Sequence, residues 1–193
     1  MLIVGLTGSI GMGKSTTSAM FRRAGVAVHD SDLAVHELYA STAVEPISQA
    51  FPGVVENGAV NRIALANRVL DNETALHVLQ DIVHPLVQAH RNAFVSKAHL
   101  AGARVCVLDI PLLFETKTDR AMDVTIVVTA PLHVQKQRVM ARHGMTEAKF
   151  QAILSKQTPD AQKRLCAHWI VDTSRGLECA NRQVLGFLRA LLH

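Results

Sequence analysis

Near the start of the chain an apolar run, Leu2 to Thr7, breaks into Gly8-Ser9-Ile10-Gly11-Met12-Gly13-Lys14-Ser15 and then into a helix-compatible stretch. The spacing is G-x-x-x-x-G-K-S, placed between a strand and a helix, which is the setting of a phosphate-binding P-loop. The glycines allow backbone conformations that a side chain would forbid, so consecutive N–H groups can converge on phosphate oxygens. Lys14 brings a positive charge to the β- and γ-phosphates, and the Ser15 hydroxyl is placed to ligate Mg²⁺. The helix that begins there adds its positive dipole end. The motif predicts a nucleoside triphosphate site at the carboxyl end of the first strand.

Such a loop belongs on a parallel α/β sheet, and the rest of the sequence supplies one. Strands are expected at 2–7, 26–29, 104–110, 124–128 and 168–172. The third of these is a continuous apolar run suited to a sheet covered on both faces. Strands alternating with helices predict a five-stranded, doubly wound parallel sheet. Between the second and third strands, residues 31–101 read as almost wholly helical, which is too long for a simple crossover and predicts an inserted substrate-binding region. Within it, helices are expected from Leu33 to Tyr39, after an Asn61 cap, and from Glu73 to Val83. An interruption is expected at His84-Pro85, with a longer helix beyond it to about Leu100. Residues 131–156 predict one or two helices broken at Gly144 and capped again at Thr146, forming a lid. A final amphipathic helix is expected from Leu177 to about Leu192. The whole reads as a single domain, with its core at about 1–30, 103–116, 123–130 and 157–193.

The composition narrows the function classes. Among the 193 residues, 49% are apolar, enough for a sizeable core, yet the longest apolar runs are only strand-length. The apolar N-terminal run leads straight into the glycine loop and reads as a core strand rather than a leader. Cys106, Cys166 and Cys179 are too scattered for a disulfide framework or metal cage, which fits a reducing, cytoplasmic setting. The net charge of +4 is dispersed, with one Trp and one Tyr, so no stacking platform for nucleic acid is visible. A mild positive balance suits polyphosphate substrates. No histidine spacing suggests a metal beyond Mg²⁺, and a monomer or weak homo-oligomer is expected, without nucleic-acid or membrane partners.

Several polar residues fall near the expected carboxyl ends of strands, where ligands bind in doubly wound sheets. Asp30 and Asp32 project to one side if the chain stays extended there. A carboxylate in that place can accept the proton of an attacking hydroxyl or help hold Mg²⁺, and it can equally cap a helix. Asp109 ends an apolar strand, the usual form of a Mg²⁺-binding carboxylate, though apolar strands ending in Asp are also common. Arg138 and Arg142, four apart on an expected helix, share a face. They could clamp a migrating phosphoryl group or form a solvated surface. His84-Pro85 is expected to open a helix, where a histidine is ordinarily a surface or cap residue.

These residues together resemble the dephospho-CoA kinase family over nearly the whole chain. The resemblance rests on Gly5 to Ser15, Asp30-Ser31-Asp32 (close to the family's D-A-D), Asn61-Arg62 and Val83-His84-Pro85-Leu86. It continues through Asp109-Ile110-Pro111-Leu112-Leu113-Phe114-Glu115 to the basic pair and Gln157. It implies a P-loop kinase with a nucleotide-binding core, a helical CoA-binding region and a lid. ATP, with Mg²⁺, would phosphorylate the ribose 3′-hydroxyl of dephospho-CoA, the last step of coenzyme A synthesis. On that model Asp32 is the general base, Lys14 and Arg142 neutralise the migrating phosphoryl, and Arg138 lies nearby. Gly11, Met12, Gly13, Lys14, Ser15, Thr16 and Thr173 contact ATP, Ser15 and Asp109 serve the metal, and Arg62, His84 and Leu112 line the acceptor site with Asp32. One departure stands out: where the family commonly has Asn near the adenine, this chain has Thr173. Another P-loop nucleoside or nucleotide kinase is the alternative. A GTP-selective switch would carry an N-K-x-D-like motif, which the sequence lacks.

Overall fold

The computed structural model describes residues 1–70 and 72–192; Asp71 and His193, inside the expected helical region and core, lie outside the described residues. The chain forms two compact units, one from Met1–His29 and Ala98 onward, the other Asp30–Lys97. In chain order the elements are β1 (Leu2–Thr7), α1 (Lys14–Arg23), β2 (Ala27–Asp30), α2 (Ser31–Leu38), α3 (Val44–Ala50), β3 (Val55–Glu56), β4 (Ala59–Val60), α4 (Arg62–Val69) and α5 (Glu73–Leu100). There follow β5 (Val105–Asp109), a 3₁₀ turn (Thr118–Ala121), β6 (Val124–Thr129), α6 (Leu132–Met140), α7 (Glu147–Leu154), α8 (Asp160–Leu165), β7 (Trp169–Asp172) and α9 (Leu177–Leu192).

The first unit carries the expected five-stranded parallel sheet, in the order β2-β5-β1-β6-β7. Most residues of β1, β5 and β6 are apolar and buried, a pattern that two covered faces require. On one face Met20 and Phe21 of α1 meet Ala180, Val184 and Phe187 of α9 over Val4, Leu6, Val107 and Val128. Phe187 lies edge-on to Phe21 at 6.1 Å between ring centroids and tilted against Trp169 at 5.5 Å, contacts that add directionality to the apolar burial. Gly5 leaves the room that Leu113 and Met122 fill, since a Cβ there would stand 2.8 Å from Met122 Cγ. The register sets Asp109 beside Leu6, so this carboxylate emerges next to the start of the glycine loop.

The second unit has its own core, with Leu38, Ile47, Phe51, Val54, Leu65 and Val83 buried together. Two expectations are corrected in it. Pro85 does not interrupt the long helix: α5 runs through it. A mid-helix proline costs about 3 kcal/mol, and here the cost is offset by the packing of Leu79, Ile82, Val83, Leu86 and Val87 on both sides of it. His84 therefore sits in mid-helix and exposed rather than opening a helix. The region is not wholly helical either, because β3 and β4 form an antiparallel hairpin around Asn57-Gly58. Both turn residues have positive φ, 51° and 77°, the signature of the tight hairpin turn that Asn-Gly favours. Of the two readings open for Asp30-Ser31-Asp32, extended chain or helix cap, the cap is the one formed. Asp30 caps α2, its Oδ1 accepting from the N–H groups of Asp32 and Leu33, and Asp32 becomes an exposed residue of the helix's first turn.

Caps set the other helix starts. Asn61 Oδ1 accepts from Ile63 and Ala64 N–H, both at 3.0 Å, as its sequence position suggested. Asn72 does the same for Ala75 at the start of α5. Thr146 Oγ1 accepts from Lys149 N–H ahead of α7. No helix among the described residues is long and apolar enough to cross a membrane.

Candidate active site

The glycine loop runs from the end of β1 to the first turn of α1. Gly8 has to be glycine because a Cβ would lie 2.7 Å from the Val128 carbonyl oxygen of β6. Gly11 is bound more tightly still: its φ is +78°, and a Cβ would lie 2.5 Å from Val139 Cγ2 and 3.0 Å from the Gln135 carbonyl, both on α6. The loop is thus pressed between the sheet and α6. Gly13, also at positive φ, hands over to α1, which has no acidic residue in its first turn. The N–H groups that begin α1 have no acceptor within the helix, and with the dipole they favour an anion at this end.

Lys14 opens α1, and its ammonium donates to Asp109 Oδ1. Asp109 is buried at the end of β5. An anionic ligand on the loop would compete with this carboxylate for the lysine. Ser15 and Thr16 are exposed at the helix start. The Met12 side chain is buried, its Sδ accepting from Ala130 N–H at 3.1 Å, so any contact with a nucleotide would fall to its backbone.

Beside the loop opens a cavity of about 340 Å³, lined among others by Gly11, Gly13, Thr16, Arg138, Arg142 and Thr173. Met20, Gly176 and, at the start of α9, Leu177 and Ala180 complete it; motif reading missed these, because small and apolar wall residues carry no chemical signature. The structure brings the two arginines to one cavity but corrects their setting. The helix α6 ends at Met140, and Arg142 lies in the turn that leads to Gly144. Arg142 is exposed there, while Arg138 is held. Its Nη2 donates to the Thr173 carbonyl and its Nη1 to Thr173 Oγ1, each at 2.8 Å. Thr173 Oγ1 in turn donates to the Met12 carbonyl at 2.8 Å. The residue that stands in place of the family's Asn is therefore a joint between Arg138 and the phosphate loop. The next turn is fixed by Asp172, whose carboxylate accepts from Ser174 N–H at 2.8 Å. Burial works to raise the pKa of Asp172, but Ser174, Arg175 and Arg138 outweigh it and hold the group below the usual range.

Behind the loop lies an ion pair that sequence reasoning did not find. Lys163 of α8 is fully buried, with Nζ 2.9 Å from Glu115 Oε1. The same oxygen accepts from Thr158 N–H at 2.7 Å. Burial pushes the Glu115 pKa up, but Lys163 and the Thr158 N–H overcome this and lower it. Leu112 is exposed in the turn before Glu115, and its carbonyl accepts from Thr116 Oγ1. Asp32, Arg62 and His84 belong to the second unit, all exposed, in α2, α4 and α5 respectively.

The donor set fits Mg²⁺. Among the described residues no group of three or more His, Cys, Asp or Glu side chains could hold a metal alone. One hydroxyl and one carboxylate near a triphosphate site are what Mg²⁺ needs when the phosphates and water supply the remaining oxygens.

The comparisons with known proteins point the same way. The family model for dephospho-CoA kinase matches residues 2–178. The dephospho-CoA kinase of Mesorhizobium japonicum is 54% identical over 184 residues, covering 95% of this chain and 93% of that protein. That of Bradyrhizobium diazoefficiens is 50% identical, covering 97% and 94%. Among solved structures, a protein from Thermus thermophilus superposes with a TM-score of 0.86 at 33% identity, covering 100% of this chain and 98% of that one. The dephospho-CoA kinase of Campylobacter jejuni, at 19% identity and covering 98% and 96%, has a TM-score of 0.69 and shares the fold. A phosphate loop backed by Lys14 and Asp109, an arginine-lined cavity and a family match over nearly the full length together establish that this chain belongs to the dephospho-CoA kinase family.

Proposed function

We propose that the chain transfers the γ-phosphoryl group of ATP to the ribose 3′-hydroxyl of dephospho-CoA, giving CoA and ADP. The observation that carries this reading is the cavity in which the phosphate loop, Arg138 and Arg142 meet, in a chain of this family. The N–H groups of the loop and the start of α1 receive the phosphates, with Lys14 passing from Asp109 to the β- and γ-oxygens. Arg142, exposed at the cavity, supplies positive charge where negative charge develops, and Arg138 braces the wall that carries it. Ser15 and, through Asp109, the end of β5 would hold Mg²⁺, whose charge would screen the phosphate oxygens. Asp32 is the general base that takes the proton of the 3′-hydroxyl. Residues 131–156 act as a lid, the unit Asp30–Lys97, with Arg62 and His84, takes the acceptor, and Leu112 is a further acceptor-contacting residue.

The test is ADP release with Mg-ATP in the presence of dephospho-CoA, adenosine, AMP or no acceptor. Turnover only with dephospho-CoA, and a product heavier by about 80 Da (the single phosphoryl group a kinase transfers), is expected. Turnover with adenosine or AMP instead would keep the nucleotide site and overturn the acceptor. Asp32→Asn should retain ATP binding and lose about 10²–10⁴-fold in turnover; near-normal turnover would remove Asp32 from the role of base.

A further inference from the structure

Two successive peptide groups of the phosphate loop, the ones that meet at Ile10, are each held by a glutamine. The Ile10 N–H donates to Gln157 Oε1 at 3.1 Å. The Ile10 carbonyl accepts from Gln135 Nε2 at 2.7 Å. Gln135 stands on α6, where it is only 3% exposed; Gln157 follows α7. The two amides thus come from the beginning and the end of residues 131–157, and they converge on one residue of the loop.

This grip has a directional consequence. In a trans peptide the carbonyl and the following N–H point in opposite directions. Holding the Ile10 carbonyl against Gln135 therefore aims the Gly11 N–H away from α6. The same logic operates two residues on, where Thr173 holds the Met12 carbonyl and so sets the direction of the Gly13 N–H. The peptide between them is turned inward on the loop, Met12 N–H donating to the Ser9 carbonyl at 3.1 Å. A phosphate nest works only if its N–H groups are aimed before the ligand arrives, because rotating a peptide at the moment of reaction forfeits the stabilisation. Gln157 has the complementary task of occupying the Ile10 N–H, which fixes the preceding Ser9–Ile10 peptide, whose carbonyl takes the Met12 N–H.

We propose that Gln135 and Gln157 are positioning residues for phosphoryl transfer: together they set the two peptides flanking Ile10 so that the Gly11 N–H is aimed at the donor phosphates, and they couple the segment between them to the loop. The coupling part rests on the reading of 131–156 as a lid; the aiming part needs only that the loop binds a nucleotide. The two glutamines are not interchangeable. Gln135 must donate and Gln157 must accept.

That asymmetry provides the test. Gln135→Glu and Gln157→Glu each add one negative charge beside the same residue, but only the second preserves the hydrogen bond to Ile10. Calorimetric Mg-ADP binding, which involves no acceptor, is measured alongside kcat and KM for ATP in the full-length protein. Gln135→Glu should bind Mg-ADP at least about tenfold more weakly than Gln157→Glu, the effect of one hydrogen bond to a peptide group. Gln135→Met and Gln157→Met should each lower kcat/KM for ATP about tenfold, and the double variant should fall little further, since both hold the backbone at the same residue, Ile10. Equal Mg-ADP affinities for the two Glu variants would overturn the proposal, as would losses in the double Met variant that simply multiply. Because the wild-type protein is assayed with dephospho-CoA in parallel, failure of the acceptor assignment would appear there and leave the Mg-ADP comparison standing.

Discussion

Replacing Lys163 by Met should destabilise the protein in a way that depends on pH with a defined sign. The ammonium is fully buried and lies 2.9 Å from Glu115 Oε1, and Glu115 Oε2 is itself buried with no hydrogen-bond partner among the described residues. Met fills much the same volume, so the loss is mainly electrostatic: a carboxylate remains out of water with only backbone N–H groups, those of Thr158 and of Glu115 itself, to support it. Breaking such a pair from one side costs about 3–5 kcal/mol, and the Thr158 N–H and the partial exposure of Glu115 place this case near about 3. At about 2–4 °C per kcal/mol for a chain of this size, the melting temperature should fall by about 6–12 °C. In the wild-type protein Glu115 is held below its ordinary value of 4.5, burial being outweighed by Lys163 and the Thr158 N–H. A lowered folded-state pKa gives stability that is complete above the unfolded value and is lost as pH falls through the folded one. In the variant burial is no longer opposed by Lys163, so the pKa rises and protonation relieves the strain. The gap between wild type and Lys163→Met should therefore be widest near neutrality and close on acidification. Urea unfolding at several pH values between 7 and 4.5 reads it directly. The reasoning fails if the neutral gap is below about 1 kcal/mol, the range of an exposed pair, or if the gap widens as pH falls. A Glu115→Leu/Lys163→Met double variant should recover most of the loss, since removing both members of a buried pair is often near neutral.

Gly11→Ala should be far more damaging than its size suggests. Its φ of +78° and the 2.5 Å approach to Val139 Cγ2 combine a left-handed penalty of about 1–2 kcal/mol with overpacking of about 1–3. Denaturation and Mg-ATP titration should show lost stability, lost affinity or both, and a variant matching wild type in both would contradict this account. Cys106 is fully buried and its thiol is pushed up to about 11 by burial. An alkylating reagent at mildly alkaline pH should label exposed Cys166 and spare Cys106 until denaturant is added; mass spectrometry of the native protein showing modified Cys106 would refute that placement.

What was legible in the sequence, and what was not, divides along physical lines. The sheet could be read because β5 and β6 are apolar on both faces, a pattern that only a covered parallel strand satisfies. Asn61 and Thr146 were legible as caps because capping is chemistry within a few residues. Pro85 misled for a corresponding reason: its local cost is real, but α5 continues through it, packed against side chains from elsewhere in the second unit, which no local rule contains. The hairpin at Asn57-Gly58 carried a local signal in the dipeptide itself, but its strands are only two residues long and show no alternation. The helix α8 is six residues long, too short to show a period, and so Lys163 offered no hint that its charge is buried.

The same division runs through the site. The motif tells what the phosphate loop presents, since glycine spacing, lysine and serine are local facts. It cannot tell what holds the loop in shape, because the groups that do so are Gln135, Gln157, Arg138 and Thr173, more than a hundred residues away. Spacing alone favours a solvated helix face for Arg138 over a phosphoryl clamp. The structure gives it a further task, bracing Thr173 while reaching toward the Gly11 carbonyl at 3.5 Å. Substituting Arg138 removes a support of the loop as well as a positive charge, so its effect on turnover cannot be assigned to charge alone. Arg142, exposed in the turn beyond α6, is the cleaner probe. Arg142→Ala should slow phosphoryl transfer more than it weakens binding of dephospho-CoA, because its charge matters most in the transition state. A large rise in the dissociation constant for dephospho-CoA with unchanged kcat would instead make Arg142 a substrate-binding residue and return the phosphoryl-neutralising role to Lys14.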